Sequence, residues 1–131
     1  MSLFSNIFGS SDNKGTNRSS LAWNTLTQLK QLDAIAEESK EKPVAIFKHS
    51  TRCSISRMAL KNFEREYRLD ENEASIYFLD LLSYRQISDE IAKKFGVIHQ
   101  SPQLLLIKDG KAVYHASHSE INAASLKDQI L

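Results

Sequence analysis

Cys53, in the stretch FKHSTRCSISRM (residues 47–58), is the only cysteine of this 131-residue chain. A single thiol cannot close an internal disulfide, so any disulfide of Cys53 must join it to another molecule. Its neighbours Arg52 and Ser54 are polar, whereas an inert cysteine usually packs as a small apolar side chain. An inert buried cysteine stays open as the alternative, but the pattern favours a reactive thiol.

The surroundings of Cys53 favour its ionised form. The thiolate is the nucleophile, and a free cysteine with a pKa of about 8.5 is only slightly ionised at neutral pH. Unpaired backbone N–H groups at a helix start, the Ser56 hydroxyl and the charges of Arg52 and Arg57 could all stabilise a thiolate. We therefore expect Cys53 to react faster than a free cysteine, although both arginines could equally be ordinary exposed charges. His49 could be a surface residue or could tune the thiol.

The elements around Cys53 are a strand, a loop and a helix. The apolar run VAIFK, residues 44–48, predicts a short buried strand, and the polar segment Ser50–Arg52 predicts a loop. Apolar residues then recur at helical spacing: Ile55, Met58, Ala59, Phe63 and Tyr67. They predict one buried face of a helix that begins at or just after Cys53.

One further helix is predicted before the strand at 44–48, and another is predicted after a second strand. Thr27 is a plausible N-cap for a helix whose apolar positions are Leu29, Leu32, Ile35 and Ala36. The run SIYFL, residues 75–79, predicts a second strand. Ser83 and Gln86 have capping-box spacing ahead of the next helix, and Gly96 is its expected end.

The C-terminal part predicts a hairpin and a last helix. The apolar runs QLLLI (103–107) and AVYHA (112–116) flank Asp109-Gly110, a strong signal for a two-residue turn. Leu126 and Ile130 then mark the final helix. This order of elements predicts an α/β fold with one mixed sheet covered by helices.

Length and charge restrict the function classes. A chain that is 41% hydrophobic and 25% charged fits one domain, which we place at residues 21–131 after a Ser/Asn/Gly-rich flexible tail at 1–20. Seventeen basic and sixteen acidic residues are interspersed, so nucleic acid is not an expected partner. No apolar run approaches the roughly 20 residues of a membrane span, and no signal peptide is apparent, so we expect a cytoplasmic protein with no membrane partner.

Together these features resemble the thioredoxin fold, with a central mixed sheet of about four strands flanked by helices. FKHSTRCSIS, the W-x-x-L-T segment at 23–27 and the Ser117-His118 pair are similar to the monothiol bacilliredoxins, the YtxJ-like family of the thioredoxin-like superfamily. The resemblance implies a cytoplasmic oxidoreductase that removes bacillithiol from protein mixed disulfides. Its implied partners are bacillithiol, as a cosubstrate, and bacillithiolated client proteins; no tightly bound cofactor is implied.

The resemblance also assigns residues. Cys53 matches the attacking cysteine, and Ser56 stands where dithiol relatives have a resolving cysteine, which favours a monothiol route. Pro102 matches the superfamily's cis-proline, and the preceding Ser101 is expected to offer its backbone to an extended substrate. The expected substrate-binding residues are Ser50, Thr51, Arg52, Ser56, Ser101 and Pro102.

Two other functions stay open at this stage. Monothiol glutaredoxins on this fold hold an iron–sulfur cluster between two subunits, but they have Gly where this chain has Ser54. A non-catalytic thioredoxin-like binding module is the other alternative. The four histidines, at 49, 99, 115 and 118, have no zinc-like spacing in combination with a second cysteine, so no metal site is expected.

Overall fold

The computed structural model describes residues 21–130. The predicted flexible tail, residues 1–20, therefore lies outside the described residues. The apolar patterns within 21–130 produce strands and helices in the predicted order, with one strand more than expected.

A five-stranded mixed sheet forms the centre of the domain. Its strands are β1 Trp23–Thr25, β2 Val44–His49, β3 Ser75–Asp80, β4 Gln103–Lys108 and β5 Lys111–Ser117, in the spatial order β1-β3-β2-β4-β5. β3 is parallel to both β1 and β2, whereas β4 is antiparallel to both β2 and β5. The extra strand is β1, whose three residues are too short to show a periodic pattern and form a strand by pairing with β3.

Helices cover both faces of this sheet. They are α1 Lys30–Glu38, α2 Ser54–Glu66, α3 Arg85–Phe95 and α4 Ala123–Ile130, with a short 3-10 turn at His118–Glu120. In β2, Ala45 and Phe47 pack with α2 and α4, while Val44 and Ile46 pack with α1 and α3. Successive side chains of a strand point to opposite faces, so each strand of the centre contributes to two separate apolar cores.

The predicted N-cap of α1 is wrong. The helix begins at Lys30, Leu29 occupies the cap position, and no side chain caps it there. Instead, the side-chain oxygen of Gln31 accepts hydrogen bonds from the backbone N–H groups of Thr27 and Gln28, at 2.7 and 2.9 Å. A residue inside the helix thus holds the backbone that leads into it, and the Thr27 side chain does not cap the helix.

The predicted capping box of α3 is also wrong. The helix begins at Arg85 after Tyr84, and no side chain caps it. The Ser83 hydroxyl donates to a carboxylate oxygen of Asp80 at 3.0 Å, and a carboxylate oxygen of Asp80 accepts the Leu82 N–H at 3.2 Å. The acidic residue at the end of β3 thus organises the turn, and Tyr84, not Ser83, takes the cap position.

Two predicted turns are confirmed. Gly96 closes α3 in the left-handed conformation with φ of 67°. Asp109 and Gly110 have φ of 52° and 75° and join β4 to β5. The N–H of Asp109 donates to the Ser39 carbonyl at 2.9 Å, which fastens this hairpin to the end of α1. Across residues 21–130, no helix has the length and apolar character needed to cross a membrane.

Candidate functional site

Cys53 lies at the junction of β2 and α2, as the sequence predicts. It is the N-cap residue of α2, with an extended backbone (φ −104°, ψ 121°). Its N–H donates to the Ser50 carbonyl at 3.2 Å, and its own carbonyl accepts the Arg57 N–H at 3.0 Å. The residue is half-buried and its sulfur is in no disulfide. The thiol is therefore within reach of solvent at the first turn of a helix.

The loop between β2 and Cys53 presents two of the predicted contact residues. Thr51 and Arg52 are exposed beside the thiol, whereas Ser50 is buried. The Arg57 guanidinium donates to the Thr51 carbonyl at 3.1 Å. This bond ties the loop to the first turns of α2, a backbone role for Arg57 that the sequence did not indicate.

Ser56 does not lie at the surface. Its side chain is fully buried, with a relative exposure of 0%. Its hydroxyl oxygen accepts the Ser50 N–H at 3.0 Å and shares a 2.8 Å hydrogen bond with Nδ1 of His49. Ser56 thus supports the loop from beneath, and its expected part in substrate binding stays a prediction.

His49 is an internal residue of the site. It is 5% exposed, so the surface interpretation of this histidine is wrong. Its ring packs near Phe47 and Phe78, with ring centroids 6.5 and 5.4 Å away. Together with its bond to Ser56, this packing holds the imidazole under the loop that carries Cys53.

The apolar face predicted for α2 is shifted at its first turns. Ser56, Leu60 and Phe63 are the buried positions of the helix. Ile55 and Met58, which were assigned to the buried face, are 56% and 66% exposed. A polar serine took the inward position at the start of the helix because its hydroxyl has partners there. Two apolar side chains consequently face solvent close to Cys53 in the sequence.

The segment before β4 forms the second wall of the site. The Ser101–Pro102 peptide bond is cis, as the resemblance implies, and the Ser101 hydroxyl oxygen is buried with no hydrogen-bond partner among residues 21–130. In the antiparallel register Lys48 of β2 pairs with Gln103 of β4. The residues that follow Lys48 and those that precede Gln103 therefore meet at the same end of the sheet.

His118 completes this end of the sheet. Its N–H donates to the Pro102 carbonyl at 3.0 Å, and its φ is 55°, in the left-handed region. The 3-10 turn that it begins packs against α2. The Ser117-His118 pair, which carried part of the resemblance, is thus adjacent to Pro102. In the described part of the chain, no group of three or more His, Cys, Asp and Glu residues could hold a metal ion.

The family model described as "Monothiol bacilliredoxin BrxC" matches residues 24–126, which include every residue of the site. The chain belongs to the monothiol bacilliredoxin family. A solved structure described as a candidate oxidoreductase with a thioredoxin fold is 32% identical, with a TM-score of 0.73 over 87% of this chain and 97% of that chain.

Thioredoxins share the fold of this bacilliredoxin-family chain at lower identity. The thioredoxin of Fasciola hepatica is 20% identical with a TM-score of 0.61, covering 82% of this chain and 95% of its own. That of Malassezia sympodialis is 19% identical with a TM-score of 0.60, covering 81% and 85%. The fold is the thioredoxin fold, and family membership together with a single half-exposed cysteine supports a redox role.

Proposed function

We propose that this protein is a monothiol oxidoreductase that removes bacillithiol from protein mixed disulfides in the cytoplasm. The observation that carries the proposal is the position of Cys53, the only cysteine, half-exposed at the start of α2 in a chain that belongs to the monothiol bacilliredoxins. No tightly bound cofactor takes part. Bacillithiol is a cosubstrate and bacillithiolated proteins are the clients.

The proposed reaction consists of two exchanges. The Cys53 thiolate attacks the bacillithiol sulfur of the mixed disulfide, the bond to the client sulfur breaks, and the client leaves as a thiolate that solvent protonates. Cys53 is then joined to bacillithiol. A second small thiol attacks this adduct, takes over the bacillithiol as a disulfide and releases the Cys53 thiolate. The client sulfur is reduced and the second thiol is oxidised, so the electrons balance.

The chain's own residues have separate parts in this scheme. Thr51 and Arg52 flank the thiol at the surface, and Ser101 offers its backbone to the extended client segment. The Ser101 hydroxyl is buried without a partner among the described residues, so the proposal assigns the contact to the backbone of Ser101 and not to its side chain. Ser56 and His49 hold the loop from below and do not exchange disulfides.

The experiment is turnover of a bacillithiolated client protein, followed by release of the client thiol and by intact mass of the oxidoreductase. Wild type should release the thiol and carry one bacillithiol on Cys53 when the second thiol is withheld. Cys53→Ala should abolish both, and Ser54→Ala is the matched control in the same turn. Bacillithiol release by Cys53→Ala, or a wild type that never carries the adduct, would overturn the proposal.

A further inference from the structure

Lys48 is a buried cation for which the proposed chemistry has no use. It is 0% exposed and lies in β2, among residues whose side chains are apolar: Val44, Ala45, Ile46 and Phe47. Burying an ammonium group is unfavourable unless it is hydrogen-bonded. A leucine or isoleucine would fill such a position at lower cost, so the partners of Lys48 indicate what the lysine does.

The partner of Lys48 is the residue directly opposite in the neighbouring strand. Gln103 of β4 pairs with Lys48 in the sheet register, and the ammonium donates to the side-chain oxygen of Gln103 at 3.1 Å. The side-chain nitrogen of Gln103 in turn donates to the Ile98 carbonyl at 3.0 Å. One glutamine therefore connects the end of β2 to the loop that precedes β4.

The donor and acceptor types admit only one orientation of this glutamine. An ammonium can only donate and a carbonyl oxygen can only accept, so the amide oxygen of Gln103 must face Lys48 and its NH2 must face Ile98. Without the ammonium, nothing on the strand side selects that orientation. The bond from Gln103 to Ile98 spans five residues and closes the loop that contains Ser101 and Pro102.

The position of this network on the sheet relates it to Cys53. Lys48 and His49 are consecutive in a strand, so they point to opposite faces. His49 contacts Ser56 on the α2 face, beneath the loop that carries Cys53. On the other face Lys48 contacts Gln103, the first residue of β4, and Gln103 bonds to Ile98 in the preceding segment. The last two residues of β2 thus each hold one of the two loops that form the site.

We propose that Lys48 is a positioning residue: its ammonium orients the Gln103 amide, and that amide holds the loop Ile98–Gln103 where a mixed disulfide can pair with it. The loop has a second attachment on the same side, a 3.4 Å contact between the Ser88 hydroxyl and His99. The charged groups that face this cluster are Asp89 and Arg85 of α3, together with His99. The inference rests on the proposed function only where turnover is measured.

The first test measures the loop itself and needs no substrate. Amide hydrogen exchange is compared between wild type, Lys48→Met and Lys111→Met, a matched change at an exposed lysine at the far end of the sheet. Lys48→Met should accelerate exchange in residues 98–103 by about fivefold, the factor that corresponds to one hydrogen bond. Exchange in the first turn of α2 should not change. Because the substitution removes a buried charge, the domain as a whole should not become less stable.

A second variant separates the two bonds of Gln103. Gln103→Glu keeps an acceptor for Lys48 but loses the donor to the Ile98 carbonyl, so it should loosen the same loop as Lys48→Met. This variant also keeps the test decisive if Lys48→Met does not fold.

Turnover then connects the loop with the reaction. For the bacillithiolated client, Lys48→Met should raise KM by about fivefold with kcat nearly unchanged, again the factor of one hydrogen bond. The rate at which iodoacetamide alkylates Cys53 should stay as in wild type, since that small reagent does not need the loop. The inference would be overturned if amide hydrogen exchange of residues 98–103 were as slow in Lys48→Met as in Lys111→Met. It would also be overturned if Lys48→Met exchanged faster evenly over the whole domain. Failure of wild type to act on the client would refute the proposed function and leave the exchange result standing.

Discussion

Ser56 stands where a redox-active cysteine is expected in dithiol relatives, and its hydroxyl has a structural role instead. Dithiol relatives are expected to have a resolving cysteine at this position, whereas here the side chain is fully buried between the Ser50 N–H and the His49 ring. The hydroxyl can accept from the backbone while it shares a proton with the imidazole. The same residue that removes the second thiol therefore stabilises the loop on which the remaining thiol depends.

Ser56→Ala should lower the free energy of unfolding by about 1–3 kcal/mol, because the buried Ser50 N–H loses its partner. Urea unfolding followed by circular dichroism measures the change. Ser54→Ala, at an exposed position of the same turn, is the control and should change stability by under about 0.5 kcal/mol. Equal stability of the two variants would mean that the buried bonds of Ser56 contribute nothing.

Ser56→Ala should also lower turnover only moderately, since Ser56 neither attacks nor accepts sulfur in the proposed mechanism. A loss of activity close to that of Cys53→Ala, in a variant that is shown to be folded, would contradict this assignment. Steady-state turnover of the bacillithiolated client under conditions where the variant is fully folded separates the two cases.

At the scale of elements, the loop between α3 and β4 is held at both ends. Gly96 ends α3 in the left-handed conformation, and Gln103 closes the segment that begins at Ile98. Space does not restrict position 96, because a Cβ added there would have no heavy atom within 4 Å. The glycine is required by backbone geometry alone.

Gly96→Ala should therefore destabilise the domain by about 1 kcal/mol through backbone strain and without a steric clash. Gly96→Asn should be less harmful, because asparagine tolerates the left-handed region better. Thermal unfolding of the two variants beside wild type measures the difference. If alanine were as stable as glycine, the end of α3 would have to tolerate a different backbone conformation.

At the scale of the whole molecule, the sheet separates two cores that are stabilised differently. Phe47 and Phe63 pack with their ring centroids 5.6 Å apart on the α2 face, next to Trp23, whose indole N–H donates to Glu64 at 2.8 Å. The opposite face is mostly aliphatic, with Phe95 among its buried residues, and contains the buried ammonium of Lys48. Burial is the largest influence on Lys48 and lowers its pKa from the usual 10.5 to about 8, while Asp89 acts in the opposite direction.

This shift predicts an unusual alkaline stability profile. Between pH 8 and pH 10.5 the unfolded chain retains the Lys48 proton that the folded protein has released, so the free energy of unfolding should rise with pH, by about 3 kcal/mol at most. Burial raises the pKa of Tyr67 and Tyr77 to about 12 from 10.0, so above pH 10 the folded state holds the extra protons and stability should fall.

Urea unfolding across this pH range tests the prediction. Wild type should become more stable as the pH rises from about 8 towards 10, Lys48→Met should lack that rise, and Lys111→Met should behave as wild type. A rise of the same size in Lys48→Met would assign the effect to another group.

Local sequence patterns determined the order of elements, the placement of Cys53 at the start of α2, the Asp109-Gly110 turn and the glycine end of α3. These features depend on periodicity and on backbone preferences that neighbouring residues express by themselves. Family resemblance, and not pattern, indicated the cis bond at Pro102. The patterns failed where caps were assigned from Thr27 and Ser83, because the two helices begin later in the chain, at Lys30 and Arg85, with no side-chain cap.

Tertiary structure alone decided which polar residues support the site. Lys48 and Gln103 are separated by 55 positions, and only the pairing of β2 with β4 brings them together. The strand β1 likewise exists because β3 offers it an edge, since three residues are too few to specify a strand. A lysine in an apolar strand and a serine on a helix look like surface residues in a sequence. Each can be buried because it finds hydrogen-bond partners in the folded protein. Those of Lys48 come together only when the sheet assembles.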